Sequence, residues 1–298
     1  MTISNIFQLM MSGIAVGAIY TLTAKGLFIA HLATHRLNFG QGDFLMVGAY
    51  LTIGLMLLGI PAPLVLLGVL IALALLGWGL ERIAIRPLDR AGDQTGGYAW
   101  VLTTAGAALI LQNVVELFWG KSAQYAPPIF SATRNNVVQI GGAGIFVEEL
   151  AIIAVAFIVV TAFYFFLFRT RWGKGIYAVA FNPEAALLLG VDVRGTVVLV
   201  FVLASLLAGI SGFLVGPLVS VNPHMGLVFT IKAFAVASIG GFSNPVGLLA
   251  GGLLFGVTEA FSNYFDSSFG DLYPLIAVLI LLAFRPTGLF STRAPDVR

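Results

Sequence analysis

Residues 195–231 read GTVVLVFVLASLLAGISGFLVGPLVSVNPHMGLVFTI and contain no Asp, Glu, Lys or Arg. A helix needs about 20 apolar residues to cross a bilayer core of roughly 30 Å, so this stretch is long enough for more than one element in lipid. Pro217 and the cluster Asn222-Pro223-His224 divide it, because proline and polar turn residues end helices at a membrane interface. The stretch therefore predicts two membrane helices separated by a turn.

The same pattern continues along the chain, of which 59% is hydrophobic and 9% charged, with a mean hydropathy of +1.01. Continuous apolar runs, rather than alternation of apolar and polar residues, exclude an outer-membrane barrel. The sequence predicts an all-α polytopic bundle of about eight spans in a single transmembrane domain over 1–298. Interrupted helices are expected near 38–43 and 240–245. Helices are expected near 5–30, 44–59, 62–86, 98–119, 148–168, 194–216 and 246–262, with shorter apolar segments at 228–240 and 272–284.

The distribution of basic residues predicts which side of the membrane each loop faces. Most of them fall in four segments, around Arg36, around Arg86, over 169–194 and after Phe284. The positive-inside rule makes those segments cytoplasmic, with the N-terminus periplasmic, the 120–147 loop outside and the C-terminus cytoplasmic. The positive balance then reflects membrane orientation, and we expect no nucleic-acid partner. No basic residue precedes Lys25, so a cleaved signal peptide is not expected.

The first interruption, LNFGQGDF at 37–44, sets Asn38, Gln41 and Asp43 against a long apolar run. Non-helical backbone at membrane depth persists only beside protein or water, which favours a cavity on a substrate path. The alternative is helix capping, in which Asn38 or Asp43 satisfies free N–H groups of the next helix. Capping accounts for one of these residues, so we expect all three to border the path.

The second interruption lies in AVASIGGFSNPVGLLAGG at 235–252. Pro245 lacks an N–H group, so the helix must break there. Ser243, Asn244 and Pro245 are candidates for the substrate path, although turn chemistry explains Ser243 and Asn244 equally well. Small residues at four-residue spacing let membrane helices approach closely, which predicts helix packing for a group of glycines. These are Gly247, Gly251, Gly252 and Gly256.

The segment 170–194 is the one long amphipathic stretch predicted on the cytoplasmic side. Asn182-Pro183-Glu184 is typical of a helix start, with Asn as the cap, and Gly190 is suited to end the helix. A short helix between two spans either lies on lipid or docks into a partner's groove. The residues alone leave both open.

Four ionisable residues lie in apolar segments: Lys25, Glu116, Lys232 and Glu259. Such residues are candidates for substrate contact or for snorkelling near helix ends.

Sequence motifs that would indicate an enzyme are weak. Ser211 lies in a short Gly-x-Ser-Gly match to intramembrane proteases, but the three histidines (His31, His35 and His224) fall in predicted loops or helix ends. The sequence contains no metal-ligand pattern and no phosphate-binding loop, so we expect no catalytic residue, metal or cofactor here, and ATP hydrolysis must belong to another chain.

Four stretches together resemble the permeases of branched-chain amino-acid ABC importers: LNFGQGDFLMVGAY at 37–50, AVAFNPEAALLLGVDV at 178–193, IKAFAVASIGGFSNPVGLLAGGLLFGVTEA at 231–260 and FRPTGLF at 284–290. The sequence departs from that pattern at Asp43, where Glu is common, and at Lys25, where a small or apolar residue is expected. Relatives of this family also carry urea, short amides or aromatic acids.

The resemblance implies a bacterial inner-membrane importer. A second permease subunit, identical or paralogous, would complete the path for a small solute, two cytoplasmic ATPases would supply energy and a periplasmic binding protein would deliver the solute. It also implies that the helix at 182–190 is the coupling helix in an ATPase groove. The residues concerned are Phe181, Asn182, Pro183, Glu184, Ala185, Leu189 and Gly190. The competing hypothesis is a stand-alone ion-coupled transporter or channel.

Overall fold

The computed structural model describes residues 3–91, 98–131, 136–140, 143–242, 244–285 and 288–290. Almost all secondary structure in these ranges is helical. The helices are α1 (Ile3–Thr34), α2 (Gln41–Leu57), α3 (Ala62–Leu80), a π-helical turn (Glu81–Ile85), α4 (Arg86–Ala91), α5 (Tyr98–Trp119), α6 (Val147–Arg169), α7 (Arg171–Phe181), α8 (Pro183–Leu188), α9 (Val193–Val215), α10 (Met225–Gly240), α11 (Gly247–Phe265) and α12 (Leu272–Phe284).

Five helices within the described residues are long and apolar enough to cross a membrane: Ile3–Thr34, Ala62–Leu88, Ala99–Trp119, Val147–Arg169 and Val193–Val215. Three shorter apolar helices, α2, α10 and α12, join them, and α11 adds 19 residues. The chain is therefore an all-α multi-pass membrane protein, as the sequence predicts.

The main differences from the predicted bounds lie at the interruptions. α1 continues to Thr34, and ends there because His35 adopts a left-handed φ of 55°. The polar segment at 35–40 is shorter than expected, and α2 already begins at Gln41. The apolar segment predicted at 228–240 is a full helix from Met225.

One small sheet was not predicted. Strands β1 (Val137–Ile140) and β2 (Ala143–Phe146) pair antiparallel in the loop before α6, with Val137 opposite Phe146. The preceding part of the loop is fixed by Glu148, which accepts a hydrogen bond from the backbone N–H of Ile129 at 2.5 Å.

α1 lies at the centre of the bundle and packs antiparallel against α11 along a seam of small residues. A Cβ atom added to Gly256 would overlap the backbone of Gly13 and Gly17, and one added to Gly252 would overlap Thr21. A Cβ atom added to Gly247 or to Gly251 would overlap the backbone of Gly240, at the end of α10. Close backbone approach gives membrane helices the dispersion contacts that hold them together where lipid offers no hydrophobic driving force.

Candidate functional site

α2 begins inside the bundle rather than at its surface. The Gln41 Nε2 atom donates a hydrogen bond to the carbonyl oxygen of Ala204 at 2.9 Å, and Ala204 lies halfway along α9. After α1 ends at Thr34, the chain therefore runs back into the membrane over 35–40 before α2 starts. Backbone of this kind is tolerated at membrane depth where protein or water satisfies its polar groups.

The first turn of α2 crosses the first turns of α10. The Gly42 N–H donates to Thr230 Oγ1 at 2.9 Å. Thr230 Oγ1 lies 3.0 Å from the carbonyl oxygen of Gly226 and 3.2 Å from that of Phe39, and its one hydrogen can be donated to either. A Cβ atom on Gly42 would overlap the carbonyl oxygen of Gly226. Two helix N-termini with their positive partial charges thus converge here. Interrupted helices of this kind bind substrate in transporters.

Three buried polar side chains surround this convergence, each at most 1% exposed: Asn38, Gln41 and Asp43. Asp43 Oδ1 accepts a hydrogen bond from Gln112 Nε2 of α5 at 2.8 Å. Asn38 Nδ2 and Gln41 Oε1 have no partner among the described residues. We call these three residues with Gly226 and Thr230 the crossing site.

The capping alternative for Asn38 and Asp43 is wrong. Gly40 is the N-cap of α2, and no side chain caps the helix. Asn38 Oδ1 instead accepts from the Gly40 N–H at 3.0 Å, within its own loop. Asp43 lies inside the first turn and bonds across to α5.

The second interruption, between α10 and α11, is closed by the chain itself. Asn244 Oδ1 accepts from the Val246 N–H at 3.0 Å, and Asn244 Nδ2 donates to the Phe290 carbonyl oxygen at 2.8 Å. The oxygen of the Asn244 amide therefore stabilises the turn, and its nitrogen binds the segment at Phe290. Ser243, predicted beside it, lies outside the described residues.

Pro245 is held by Lys25, one of the two departures from the family pattern. Lys25 is 1% exposed, and its Nζ atom donates to the Pro245 carbonyl oxygen at 2.5 Å. It also lies 5.7 Å from the centre of the Phe163 ring. The next residue, Gly26, leaves room for the Gln41 side chain. Consecutive residues of α1 therefore contact both interruptions.

The remaining predicted ionisable residues form internal pairs. Lys232 Nζ lies 3.0 Å from Glu259 Oε1, 3.1 Å from Asp271 Oδ1 and 3.1 Å from the Tyr20 hydroxyl oxygen. Lys232 and Glu259 are buried, whereas the Asp271 side chain is 60% exposed. The cluster joins α1, α10, α11 and the start of α12. Glu116 lies at the far end of α5 and pairs with the exposed His224 at 3.0 Å.

The enzyme signals do not converge on a site. Ser211 is buried in α9 and donates to the Leu207 carbonyl oxygen at 2.8 Å. Among the described residues no group of three His, Cys, Asp or Glu side chains is arranged to hold a metal ion.

The segment between α6 and α9 forms an elbow of two helices. Asn182 Oδ1 accepts from the Ala185 N–H at 2.9 Å and Gly190 has a φ of 83°, so the predicted cap and helix end of α8 are confirmed. His35 Nε2 lies 3.0 Å from the Ala180 carbonyl oxygen, which ties the elbow to the end of α1.

Large apolar side chains cover the outside of this elbow. Phe181 is 90% exposed, Leu188 89% and Leu189 83%, and only Ala186 within 181–190 is buried. Exposed apolar patches of this kind mark a surface that a partner or lipid covers. We call residues 181–190 the coupling elbow.

Sequence comparison identifies relatives of this chain. It matches a family described as "Branched-chain amino acid transport system / permease component" over residues 9–284. It is 30% identical to the high-affinity branched-chain amino acid transport system permease protein BraD of Pseudomonas aeruginosa, over 97% of both chains. It is 29% identical to the corresponding protein LivH of Salmonella typhimurium, over 95% of both chains. No solved structure matches the chain.

Proposed function

The chain belongs to the family of branched-chain amino acid transport permease components, and from this premise we propose that it is the membrane-spanning subunit of an ABC importer for branched-chain amino acids. The observation that carries the proposal is the family match over residues 9–284, together with relatives similar over nearly the whole chain. A family of transport-system components favours a multi-subunit importer over a stand-alone ion-coupled transporter or channel.

The chain would sit in the bacterial inner membrane, with its N-terminus in the periplasm and its C-terminus in the cytoplasm. The basic segments around Arg86 and over 169–194 support this orientation through the positive-inside rule. A periplasmic binding protein would deliver the amino acid to the side that carries the 120–147 loop. The permease would contribute a path and two conformations, and the ATPase subunits would perform the chemistry.

The substrate path would run between two permease subunits along the crossing site. One face of α10 supports this arrangement because it is apolar and open: Leu227 is 55% exposed, Ile231 45% and Phe234 41%. The crossing site lies directly behind that face and supplies the polar atoms. A second permease, identical or paralogous, would cover the face and enclose the path.

The coupling elbow would dock into a groove of an ATPase subunit. Its exposed Phe181, Leu188 and Leu189 suit the apolar anchors of a helix-in-groove contact. The hydrogen bond from His35, the residue after α1, to Ala180 of α7 connects α1 to the helix that leads into the coupling elbow, and α1 contacts both interruptions. Closure of two ATPases would move the elbows together and shift the permeases between inward-open and outward-open packings, provided that the ATPases bind the two packings with different affinity.

The test replaces two exposed residues of the elbow in the complete transporter. We expect Glu184→Arg combined with Ala185→Trp to abolish leucine uptake and substrate-stimulated ATP hydrolysis in reconstituted vesicles, because the charge and bulk obstruct docking. Arg194→Glu is the matched control, since Arg194 is exposed on the same side but outside the elbow. Unchanged uptake and ATP hydrolysis in the double variant, with normal insertion, would refute the coupling role.

A second experiment separates the importer from the stand-alone alternative. The purified permease alone is reconstituted in vesicles with an imposed proton or sodium gradient. We expect no leucine uptake until the ATPases, ATP and the binding protein are added. Gradient-driven uptake by the permease alone would establish the alternative.

A further inference from the structure

A cavity of about 800 Å³ lies between the start of α7 and one face of α9. Val198, Leu199 and Val202 of α9 form its apolar wall, and Asp192 lines it at the start of the same helix. Because a helix rises about 1.5 Å per residue, Val202 lies roughly 15 Å along the α9 axis from Asp192. α9 is long and apolar enough to cross a membrane, so the cavity extends from the membrane interface toward the depth of the acyl chains.

Two opposite charges line this cavity without pairing. Arg171 is the first residue of α7, and Asp192 is the N-cap of α9. Neither forms an ion pair with the other, or with any other residue in the part of the chain that the structure describes. Asp192 Oδ1 accepts a hydrogen bond from the Gly195 N–H at 3.0 Å, and a carboxylate has further lone pairs to offer. A ligand with one anionic and one cationic group can satisfy both side chains at once.

We propose that this cavity binds a phospholipid with a primary ammonium head group, phosphatidylethanolamine. Its phosphate binds Arg171 at the positive end of α7, its ammonium group binds the Asp192 carboxylate, and an acyl chain lies along the apolar wall of α9. Trp172 also lines the cavity and is 65% exposed, as is typical of an indole ring at the level of the lipid head groups.

The pair of charges favours this lipid over the other common phospholipids. Phosphatidylglycerol has no ammonium group for Asp192, and the trimethylammonium group of phosphatidylcholine has no N–H to donate to the carboxylate. Arg169, Lys174 and Arg194 are exposed and flank the cavity in sequence without lining it. Such basic residues attract anionic lipids to the surface in general, so phosphatidylglycerol is the competing ligand in the test.

A lipid in this position braces the coupling elbow. Val191 lines the cavity and directly follows the elbow, and Arg171 begins the helix that leads into it. The lipid contacts lie outside residues 181–190, so the inference holds whether or not the elbow docks into an ATPase.

Quenching of Trp172 fluorescence by brominated lipid tests the proposal on the purified chain. The chain is reconstituted in phosphatidylcholine bilayers with a minor share of dibrominated phosphatidylethanolamine, phosphatidylglycerol or phosphatidylcholine. The Trp172 signal is the difference between the parent and Trp172→Phe. Trp78 is the matched reference, read in the same way with Trp78→Phe, because it is 47% exposed and does not line the cavity.

At Trp172 we expect the apparent affinity for phosphatidylethanolamine to exceed that for phosphatidylcholine about tenfold, equivalent to roughly 1.4 kcal/mol. Trp78 should show no preference. Equal quenching of Trp172 by the three brominated lipids would overturn the proposal, and so would stronger quenching by phosphatidylglycerol than by phosphatidylethanolamine. Relief of the quenching by L-leucine would also overturn it, because the site would then bind the solute.

Asp192→Asn tests the ammonium contact, because asparagine keeps an acceptor for the Gly195 N–H and removes the charge. It should abolish the preference for phosphatidylethanolamine over phosphatidylcholine, with the Trp78 signal unchanged as evidence of an intact fold. Glu184→Gln removes an exposed carboxylate outside the cavity and should leave the preference as it is. A full preference in Asp192→Asn would refute the assigned head group.

Arg171→Gln tests the phosphate contact. The comparison lipid is dibrominated diacylglycerol, which has the same acyl chains and no phosphate. We expect the preference for phosphatidylethanolamine over diacylglycerol at Trp172 to fall about tenfold in Arg171→Gln and to stay unchanged in Arg169→Gln. An equal preference in both variants and the parent would remove Arg171 from the site and overturn the proposal.

Discussion

The crossing site and the coupling elbow both depart from the usual placement of side chains, in opposite ways. The crossing site buries polar groups at membrane depth and leaves Asn38 Nδ2 and Gln41 Oε1 unpaired among the described residues. The coupling elbow carries Phe181 and Leu188 with about nine tenths of their surface exposed (90% and 89%). Each arrangement costs free energy in the isolated chain. In the proposed importer the two regions would therefore be completed by different partners, a polar solute at the crossing site and an apolar protein groove at the coupling elbow.

The ion pair of Lys232 and Glu259 sharpens this comparison, because two buried charges face each other within the chain, although Glu259 Oε2 has no partner among the described residues. Lys232→Met leaves Glu259 buried without its counter-charge, and breaking such a pair costs about 3–5 kcal/mol. We expect a large loss of thermal stability in detergent. Lys232→Met with Glu259→Leu is the control and should recover most of it. Equal stability of the single variant and the parent would show that the cluster is not structural.

The backbone crossing gives the next largest effect. Gly42→Val places a side chain on the carbonyl oxygen of Gly226 and on Thr230, and such overpacking costs about 1–3 kcal/mol or more. We expect leucine uptake to be lost, with part of the chain misfolded. Gly106→Val is the matched control, because a Cβ there meets nothing within 4 Å. Normal uptake by Gly42→Val would mean that α2 and α10 do not cross so closely.

At the elbow the prediction is loss of docking with an intact fold. Leu188→Asp removes one apolar anchor, and burial of a leucine contributes about 1.5–3 kcal/mol. We expect ATPase affinity to fall roughly tenfold to a hundredfold with the melting temperature of the purified permease unchanged. Ala186→Asp, at a buried position of the same helix, should instead lower the melting temperature. If Leu188→Asp also destabilised the isolated permease, the elbow would be part of its own core.

The smallest effect concerns the helix cap. Asn182→Ala removes the acceptor for the Ala185 N–H, and loss of such a cap costs about 1 kcal/mol. We expect a few-fold reduction in ATPase affinity, measured by co-purification at graded concentrations. Asn182→Asp keeps the acceptor and should bind as the parent does.

Structural features that depend on the local sequence pattern could be predicted from the sequence. Continuous apolar runs indicate where the spans lie, Pro245 indicates the second break, and Asn182 with Gly190 indicates the bounds of α8. The start of α2 inside the bundle could not be read from the chain, because it depends on contacts between Gly42 and Gly226, which are distant in sequence. For the same reason the sequence could not decide against the capping alternative for Asn38 or Asp43, which the structure excludes, and the Asn244 contact with Phe290 was not foreseen.

The central claim is that the coupling elbow meets an ATPase on the cytoplasmic side. A single cysteine at Leu188 in the otherwise cysteine-free chain is labelled with a membrane-impermeant maleimide in oriented vesicles, with and without the ATPase subunits. We predict labelling only from the cytoplasmic side and strong protection when the ATPases are present. Labelling from the periplasmic side, or an equal rate with and without the ATPases, would contradict the account.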